Sequence, residues 1–501
     1  MKATLVTKRT GTLIFALLLL ASCSGEKEIS GDTAKNNTDT DAPVPMETEE
    51  TRMYATLPAD LSFADEDFTF LGVGTGFLYG YYSTTDLWTE SETGEALNDA
   101  IFKRNLTVQE LLDTTIKVVD FDDAQAEIRR SVTAGETLYD AVWAPGYTSL
   151  GLSASGCYLN FRTLPYIDLQ KPWWDQNIQT DYSFYGKNFV MTGDISTRED
   201  ACTYTLVFNK KMLADHSLPS PYMLVEEDSW TFDRFSEMVQ AVSIDVNGDG
   251  MMTDGDIFGL YGETGAINRL YSSLGGTFYR ATEAGDYTIT VTDERNIDIY
   301  DKIFALYSND QCVPNIEKWK YTGPDGNVYG YARSVLFAED KFLFVLTGPL
   351  CYIEFRDMES PFGIVPIPKF DESSARYYAV VDHNAPLLSV PVSISSPEKT
   401  GAVLEAMACE SKYTVTPEYN ETLLRRKLAR DAESAKMLDI IADSRTYSVM
   451  SMTDWGGIYS VAGNAYASGK MSISVSDFEK KIKGAVSAMD EALEKLAEPE
   501  T

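Results

Sequence analysis

Along the first part of the folded chain, short apolar runs typical of strands alternate with segments whose apolar residues recur at helical spacing. A short apolar run over 68–73 ends in a glycine turn, and apolar positions over 92–112 then recur at helical spacing. A β-rich run over 115–121, a helical segment over 122–132 and a third strand over 139–144 follow. Strands that alternate with helices in this way predict a parallel α/β sheet.

The same alternation continues towards the C-terminus. The pattern predicts strands over 203–209, 342–346, 362–366 and 385–394, and a helix over 230–242. Ser396 and Pro397 are a cap and a first-turn residue for another helix. Ser476 and Glu479 form a capping box ahead of a last amphipathic helix. A pattern of this kind over 501 residues exceeds one ordinary core and predicts two lobes.

The N-terminal segment has the pattern of a targeting signal. Lys2, Lys8 and Arg9 precede an apolar stretch over 13–21, which is too short to span a hydrocarbon layer of about 30 Å comfortably. This arrangement predicts a signal peptide over 1–22.

The end of that segment, Leu20-Ala21-Ser22-Cys23, resembles the bacterial lipobox. The resemblance implies that Cys23 is acylated and anchors the protein to the outside of the cell membrane, with more than one chain for stable anchoring. An ordinary signal peptide with an incidental cysteine is the alternative. Residues 23–65 are polar and acidic, and we expect them to form a disordered tether.

The charge balance excludes some partners. The chain has 42 Lys and Arg against 76 Asp and Glu, a net charge of −34. Such a surface repels phosphate backbones and anionic headgroups, so we expect no nucleic-acid partner and an uncharged ligand. The alternative is that the acidity only keeps the protein soluble. His216 and His383 are the only histidines, which weakens an enzyme interpretation.

Five cysteines follow Cys23, an odd number that excludes complete pairing. They fit no zinc spacing, and we expect buried free thiols, although one or two disulfides could form outside the cytoplasm. They are Cys157, Cys202, Cys312, Cys351 and Cys409.

Residues 245–256 have the spacing of a calcium loop. Oxygen ligands would come from the side chains or, at the seventh position, the backbone carbonyl of residues that share this spacing. They are Asp245, Asn247, Asp249, Met251, Thr253 and Asp256. Asp256 stands where such loops carry glutamate, so bidentate binding would need a tighter loop. We expect a structural Ca²⁺ here; the alternative is a polar turn without an ion.

Motifs for catalysis are missing from the sequence. The glycines after the first strand fail the dinucleotide pattern because its third glycine would fall at Phe77, and no G-x-S-x-G, P-loop or H-E-x-x-H occurs. Abundant carboxylates leave a glycosidase pair open. Aromatic residues near turns suggest packing against sugar rings, foremost Trp143 at the end of a predicted strand. Packing in a core is the alternative for each of them, and for every one except Trp143 it is the favoured role. The others are Trp173, Trp174, Trp230, Tyr352 and Trp455.

Several segments together resemble one family. They lie at 97–105, 139–143, 171–175, 192–196, 245–259, 361–372, 397–408 and 427–438, in an order that covers the chain from about residue 67 to its end. The chain resembles the extracellular solute-binding proteins of family 1, the sugar-binding lipoproteins of bacterial ABC importers. The resemblance implies a type II periplasmic-binding-protein-like fold, in which two α/β lobes close on a ligand in the cleft between them.

The resemblance also implies where the lobes and the ligand lie. Hinge crossovers fall near 201–209 and 377–392, and the lobes comprise 66–203 with 380–425 and 204–379 with 426–501. The family's cleft residues correspond to Thr75, Gly76, Trp143, Asp194, Ser196, Gly348, Tyr352, Asp454 and Trp455. Trp143 and Tyr352 would stack on a sugar ring, and Asp194 and Asp454 would accept hydroxyl hydrogen bonds. Leu350 stands where relatives often have an aromatic residue.

The function implied is capture of a carbohydrate by a monomeric, membrane-anchored protein and its delivery to an ABC permease, without catalysis. Two alternatives stay open. One is a surface glycosidase or lyase, and the other is a binding module that presents its ligand to a sensor.

Overall fold

A computed structural model describes residues 52–74, 85–281, 287–319, 328–355, 357–421 and 431–497. These residues belong to one compact unit, Met53–Thr501, apart from Arg52. The signal-peptide segment, Cys23 and most of the tether lie outside them. No helix within this part of the chain is long and apolar enough to cross a membrane.

The strands in chain order are β1 (Glu66–Val73), β2 (Thr114–Phe121), β3 (Ala141–Pro145), β4 (Thr205–Asn209), β5 (Ser243–Ile244), β6 (Ile257–Leu260), β7 (Tyr279–Ala281), β8 (Tyr287–Ile289), β9 (Phe342–Thr347), β10 (Phe362–Val365), β11 (Ala379–Val380), β12 (Pro386–Ser389) and β13 (Arg445–Thr446).

The helices are α1 (Ala96–Leu112), α2 (Ala124–Ala134), α3 (Gly146–Ser153), α4 (Gln176–Asp181), α5 (Arg198–Ala201), α6 (Lys210–Asp215), α7 (Pro221–Glu226), α8 (Phe232–Gln240), α9 (Thr264–Ser273), α10 (Glu294–Tyr307), α11 (Val328–Ala338), α12 (Pro397–Tyr413), α13 (Val415–Glu418), α14 (Ala432–Asp443), α15 (Val449–Thr453), α16 (Ser460–Ala467) and α17 (Val475–Ala497).

The first lobe is built on a four-stranded sheet in the order β12-β3-β1-β2. β1 pairs in parallel with β2 and β3, with Phe70 opposite Val118 and Ala141. β12 joins the edge antiparallel to β3. This edge strand comes from a distant part of the sequence, so the lobe is discontinuous.

The second lobe is built on a five-stranded sheet in the order β10-β4-β9-β6-β5. β9 is buried along its whole length because it lies between β4 and β6 and has core on both faces, which explains its unbroken apolar sequence. β4 runs antiparallel to β9 and β10. The sheet is therefore mixed, whereas the alternating pattern at the start of the chain predicted parallel pairing.

Local signals account for most helix ends. Asp123 caps α2 by accepting a hydrogen bond from the Ala126 amide, and Gly135 ends the helix in a left-handed conformation. Ser396 caps α12 as the sequence predicted. α17 starts two residues earlier than predicted, because Ser474 and Asp477, rather than Ser476 and Glu479, make the first-turn hydrogen bonds.

Three chain segments cross from one lobe to the other and lie side by side. In chain order, the first, second and third crossovers are residues 203–204, 379–381 and 445–446. The Tyr204 amide donates to the Val380 carbonyl (2.9 Å), and the Val381 amide donates to the Thr446 carbonyl (3.0 Å). β11 thus lies between the segment that enters β4 and β13. The first two crossovers coincide with the segments that the family resemblance marked as hinges.

α17 packs in both lobes. Phe478 and Ala485 belong to the core of the second lobe, whereas Met489 and Leu493 belong to the core of the first. Assignment of the C-terminal helices to the second lobe alone therefore does not describe α17. The exact lobe limits stay a prediction.

Candidate functional site

A cavity of about 540 Å³ opens between the two lobes. The segment before α1 and the first two turns of α1 form one wall, and the 3₁₀ turn after β9 forms the other, with α5 between them. Its lining residues are Thr85, Asp86, Trp88, Thr89, Leu97, Asn98, Ile101, Thr197, Arg198, Ala201, Pro349, Leu350, Ile353 and Tyr419. Both lobes and the first crossover therefore contribute to it, as in a ligand cleft at the carboxyl ends of strands.

Asp86 organises the polar part of the wall. Its carboxylate, which is 4% exposed, accepts hydrogen bonds from the Ser196 hydroxyl and from the Thr197 amide (3.0 Å). The Arg198 guanidinium lies 3.5 Å from the same carboxylate and donates to the Thr85 hydroxyl (2.8 Å). This network fixes the start of α5 to the segment that precedes α1.

Trp88 is the aromatic side chain that the wall presents to solvent. It is 38% exposed, whereas Trp143, Trp173, Trp174 and Trp230 are at most 1% exposed. An indole with a free face can pack against the C–H face of a sugar ring, and a fully buried indole cannot. Trp88 is not among the aromatic residues that the sequence pattern indicated. Its signal would have been its position between the first strand and the first helix of the α/β pattern.

A second group of polar side chains lies where the crossovers meet the sheets. The Tyr204 hydroxyl donates to Asp382 (2.7 Å), and the Arg269 guanidinium lies 4.5 Å from the centre of the Tyr204 ring. Glu263 forms an ion pair with Arg269, and His383 lies 3.6 Å from Asp382. These residues join the first crossover, the second crossover and the start of α9.

Burial and neighbouring charges set the protonation of Asp382, His383 and Tyr204 in this group. Burial opposes ionisation of Asp382, yet the charges of His383 and Arg269 and its hydrogen bonds hold its pKa below the usual range. Burial lowers the pKa of His383, with Asp382 acting in the opposite direction. Burial raises the pKa of Tyr204, which therefore stays a neutral phenol and donates a hydrogen bond to the Asp382 carboxylate.

A smaller cavity of about 300 Å³ lies beside the third crossover. Asp181 of the first lobe, Thr277 and Tyr279 of the second, and Tyr447 are among its lining residues. Asp181 accepts a hydrogen bond from the Tyr447 amide (2.8 Å), and burial raises its pKa to about 6. This cavity opens on a different part of the hinge from the larger one.

The predicted cleft residues are divided by the structure. Thr75 and Gly76 lie outside the described residues. Ser196 lies at the cavity wall, where its hydroxyl donates a hydrogen bond to Asp86. Gly348 lies against the first crossover, where an added Cβ would come within 2.9 Å of the Thr203 carbonyl oxygen, so only glycine fits this approach.

The two predicted stacking residues lie in the cores. Trp143 is in the middle of β3 rather than at its end, opposite Leu388, and is fully buried. Tyr352 is 1% exposed and shares a hydrogen bond of 2.6 Å with Thr205. Its neighbours Leu350 and Ile353 line the cavity instead. Stacking by Trp143 or Tyr352 therefore has no support in this geometry.

The two predicted hydroxyl acceptors also have other partners. Asp194 faces Lys412 (3.8 Å), and burial raises its pKa to about 6. Asp454 accepts hydrogen bonds from the Ser460 amide (3.3 Å) and hydroxyl, and has a left-handed backbone at the end of α15. Trp455 is half-buried beside Phe184 and contacts both cores. Ligand binding by these three stays a prediction.

The loop over 245–256 forms a compact turn. Asp245 accepts hydrogen bonds from the amides of Gly248 and Gly250, each 2.7 Å long. Asp256 is 1% exposed and accepts from the amides of Val246 (2.9 Å) and Thr253 (2.7 Å), which lower its pKa.

The side-chain oxygens of this loop determine whether it can bind a metal ion. Among the residues described, no group of three His, Cys, Asp or Glu side chains is arranged to hold a metal ion. Each oxygen of Asp245 accepts one hydrogen bond from the described residues and keeps a further lone pair, as does Asp256 Oδ1, whereas Asp256 Oδ2 accepts from both the amide and the hydroxyl (3.1 Å) of Thr253. Three carboxylate oxygens are therefore compatible with a cation that draws the loop together.

The five cysteines after Cys23 carry free thiols. Cys157, Cys202, Cys312 and Cys409 are buried, and Cys351 is half-buried. Burial raises the pKa of each of the first three, so these thiols stay protonated and unreactive.

No protein-family model and no curated protein sequence matches the chain. Solved structures do match. An ABC substrate-binding protein of Listeria monocytogenes in complex with cycloalternan superposes with a TM-score of 0.52 at 10% identity, over 85% of this chain and 98% of that one. A cyclo/maltodextrin-binding protein complexed with maltotetraose matches with 0.52 at 14%, over 86% and 96%.

A sugar transporter protein of Rhizobium etli in an open conformation matches with a TM-score of 0.53 at 14% identity, over 87% of this chain and all of that one. At such low identity these likenesses establish the fold. The predicted fold class is confirmed: the chain has the two-lobed α/β fold of ABC-transporter substrate-binding proteins.

Proposed function

We propose that this protein captures a carbohydrate between its lobes and delivers it unchanged to the permease of an ABC importer. The observation that carries the proposal is the cavity of about 540 Å³ that both lobes and the first crossover line, in a fold shared with solved proteins that hold cycloalternan and maltotetraose. Its volume falls in the range of small-molecule sites, about 300–1,000 Å³.

The hinge supports a capture cycle. Short paired segments at 203–204, 379–381 and 445–446 connect the lobes, so rotation about them would open and close the cavity. A ligand that contacts both walls stabilises the closed form by its differential affinity for that form. The closed form would then dock on the permease.

Trp88 supplies the ring-packing surface in this proposal. Its exposed indole lies on the first-lobe wall, opposite Pro349, Leu350 and Ile353 of the second lobe. Asn98 and Thr197 are polar neighbours on the same walls. Binding needs no covalent step, and we assign no catalytic residue.

The cellular setting is part of the proposal. The predicted signal peptide and the lipobox-like Cys23 would place the protein outside the cytoplasmic membrane, tethered by lipid, as a monomer. Globomycin-sensitive processing together with metabolic labelling by palmitate, absent in Cys23→Ser, tests the anchor. Unlabelled wild-type protein would contradict it.

A structural calcium ion in the loop over 245–256 is a further proposal. The carboxylates of Asp245 and Asp256 already gather the loop around backbone amides. Calcium would strengthen a fold that the hydrogen bonds specify, at a distance from the cavity walls.

The test of capture is a thermal-shift screen of residues 52–501 against mono- and oligosaccharides. A ligand held only by the native state raises the melting temperature by mass action. We expect at least one carbohydrate to do so, and Trp88→Ala to weaken it about tenfold or more.

Met223→Ala is the matched control, because Met223 is an exposed apolar side chain (58%) on α7 outside the cavity. Its variant should bind as the wild type does. Stabilisation by amino acids or peptides alone would contradict the carbohydrate assignment, and release of shortened sugars with turnover would favour the glycosidase alternative.

A further inference from the structure

We propose that the interlobe cavity receives an ester-linked acyl group carried by the carbohydrate. This inference rests on the proposed function and specifies its substrate class. Its starting point is a mismatch between the cavity wall and an unsubstituted sugar, which is covered with hydroxyl groups.

The apolar part of the wall comes from both lobes. Leu97 and Ile101 belong to the first two turns of α1, and Leu350 and Ile353 belong to the turn after β9. Ile353 is 49% exposed, an unusual state for an isoleucine in the described part of the chain. Apolar surface of this kind favours a ligand group without hydroxyls, because removal of apolar area from water is favourable in proportion to that area.

Most polar groups of the wall already have partners. Asp86 accepts from Ser196 and Thr197, and the Arg198 guanidinium donates to Thr85. The Asn98 amide donates to the Ser91 carbonyl (2.8 Å). These bonds within the wall reduce its hydrogen-bonding capacity for the several hydroxyls of a sugar ring, and a buried hydroxyl without a partner lowers affinity.

Asp86 Oδ1 accepts no hydrogen bond among the described residues but lies 3.5 Å from Arg198 Nε as part of an ion pair. Thr89 has no such counterpart. It lines the cavity, and its hydroxyl is buried without a hydrogen-bond partner among the described residues. One donor beside an apolar wall matches one ester carbonyl beside an alkyl chain. The same feature favours an acyl group over a purely hydrocarbon one.

The volume agrees with this assignment. An apolar protein cavity of about 150 Å³ accommodates benzene. A cavity of about 540 Å³ has room for a short acyl chain and for part of the ring that carries it. Trp88 would pack against the ring, and the acyl chain would lie between Leu97 and Leu350.

The experiment is a competition measured by native mass spectrometry. The probes are maltotetraose, cellotetraose, xylotetraose and mannotetraose, each mixed with its own partially acetylated and partially butyrylated product. We expect acylated species of at least one sugar to bind about tenfold or more tightly than the parent, since one methylene in an apolar pocket discriminates to that extent. Saponification of the bound material should abolish the preference.

Substitutions in the cavity wall test which residues cause the preference for acylated sugar. Leu350→Asn and Ile353→Asn should remove the preference for acylated sugar while the parent sugar still binds, and Thr89→Val should reduce it several-fold. Ile244→Asn, a change at an exposed apolar residue (39%) of β5, is the control and should keep the preference.

The outcomes separate the two proposals. Equal binding of parent and acylated sugars, or a preference that survives Leu350→Asn and Ile353→Asn, overturns the acyl site and leaves sugar capture standing. If none of these probes binds, with or without acyl groups, the result counts against the acyl site. If the carbohydrate screen is negative as well, the two results together count against carbohydrate capture.

Discussion

At the scale of single residues, exposure separates structural aromatics from candidate ligand contacts. Trp143 and Trp88 are both tryptophans close to predicted strands of the first lobe, yet Trp143 is fully buried in β3 and Trp88 has a free face. Tyr352 and Ile353 are adjacent in sequence and have opposite roles for the same reason. Residue type therefore indicates chemistry, but the packing of the neighbouring strand decides whether a ligand reaches it.

Glu405 gives a pH-dependent prediction at this scale. It accepts hydrogen bonds from the Trp174 indole (2.8 Å) and the Asp168 amide (3.3 Å), and burial raises its pKa from 4.5 to about 7. A raised carboxyl pKa stabilises the fold fully below pH 4.5, and the contribution is lost as the pH rises through about 7.

Between pH 4.5 and 8 the unfolding free energy of the wild type should therefore fall by up to about 3 kcal/mol because of Glu405. Glu405→Gln cannot ionise at this position and should not show that fall. Urea unfolding of both proteins across that range measures it. Glu494→Gln, at an exposed position on α17, should keep the pH profile of the wild type. Parallel profiles for Glu405→Gln and the wild type would contradict the prediction.

At the scale of elements, local capping chemistry explains which segments the sequence predicted well. α12 starts where Ser396 and Pro397 indicate, because the Ser396 hydroxyl accepts from the Lys399 amide (3.1 Å). The last helix was placed two residues late because two overlapping serine–acidic patterns occur there and only the three-dimensional hydrogen bonds choose between them.

Ser396→Ala should lower the unfolding free energy by about 1 kcal/mol, since it leaves a first-turn amide of α12 without its acceptor. Chemical denaturation measures the change. Ser396→Asp keeps an acceptor and should stay close to the wild type. An unchanged stability of Ser396→Ala would mean that water satisfies the Lys399 amide equally well.

The loop over 245–256 gives a second prediction at this scale. Calcium should raise the melting temperature of the wild type relative to EGTA, and Asp245→Asn should abolish the rise because it removes one charged ligand. Asp254→Asn, at a loop position that the calcium pattern does not use, is the control. Identical melting curves in calcium and EGTA would exclude the ion.

At the scale of the whole molecule, one arginine connects the third crossover to the first lobe. Arg445 of β13 forms an ion pair with Asp200, and its Nε lies 3.4 Å from Asp175. Its side chain is 18% exposed. The Asp175 side chain beside it is only 3% exposed. Removal of one partner from a buried ion pair costs about 3–5 kcal/mol, because the remaining charge loses its compensation.

Arg445→Gln should therefore lower the unfolding free energy by about 3 kcal/mol or more, as measured by urea denaturation. Lys436→Gln is the control. Its partner Glu226 lies 3.9 Å away, both side chains are more than half exposed, and its effect should stay within about 0.5 kcal/mol. Similar stabilities of the two variants would show that Arg445 is solvated rather than coupled.

The sequence predicted the α/β class, the two lobes and most strands and helices, since apolar periods and caps are local. It did not predict the cavity wall. Leu350 and Leu97 are distant in the chain, and their proximity depends on how one lobe meets the other. The mixed order of the second sheet is likewise a long-range property, because Phe344 of β9 pairs with both β4 and β6.

The position of α17 limits what can be cut from this protein. Phe478 near its start and Leu493 near its end belong to different cores. Truncation before residue 475 would leave holes in both lobes at once, so neither lobe can be produced intact as a separate fragment that lacks this helix. Any relative rotation of the lobes must also be absorbed along the roughly four helical turns between Phe478 and Leu493.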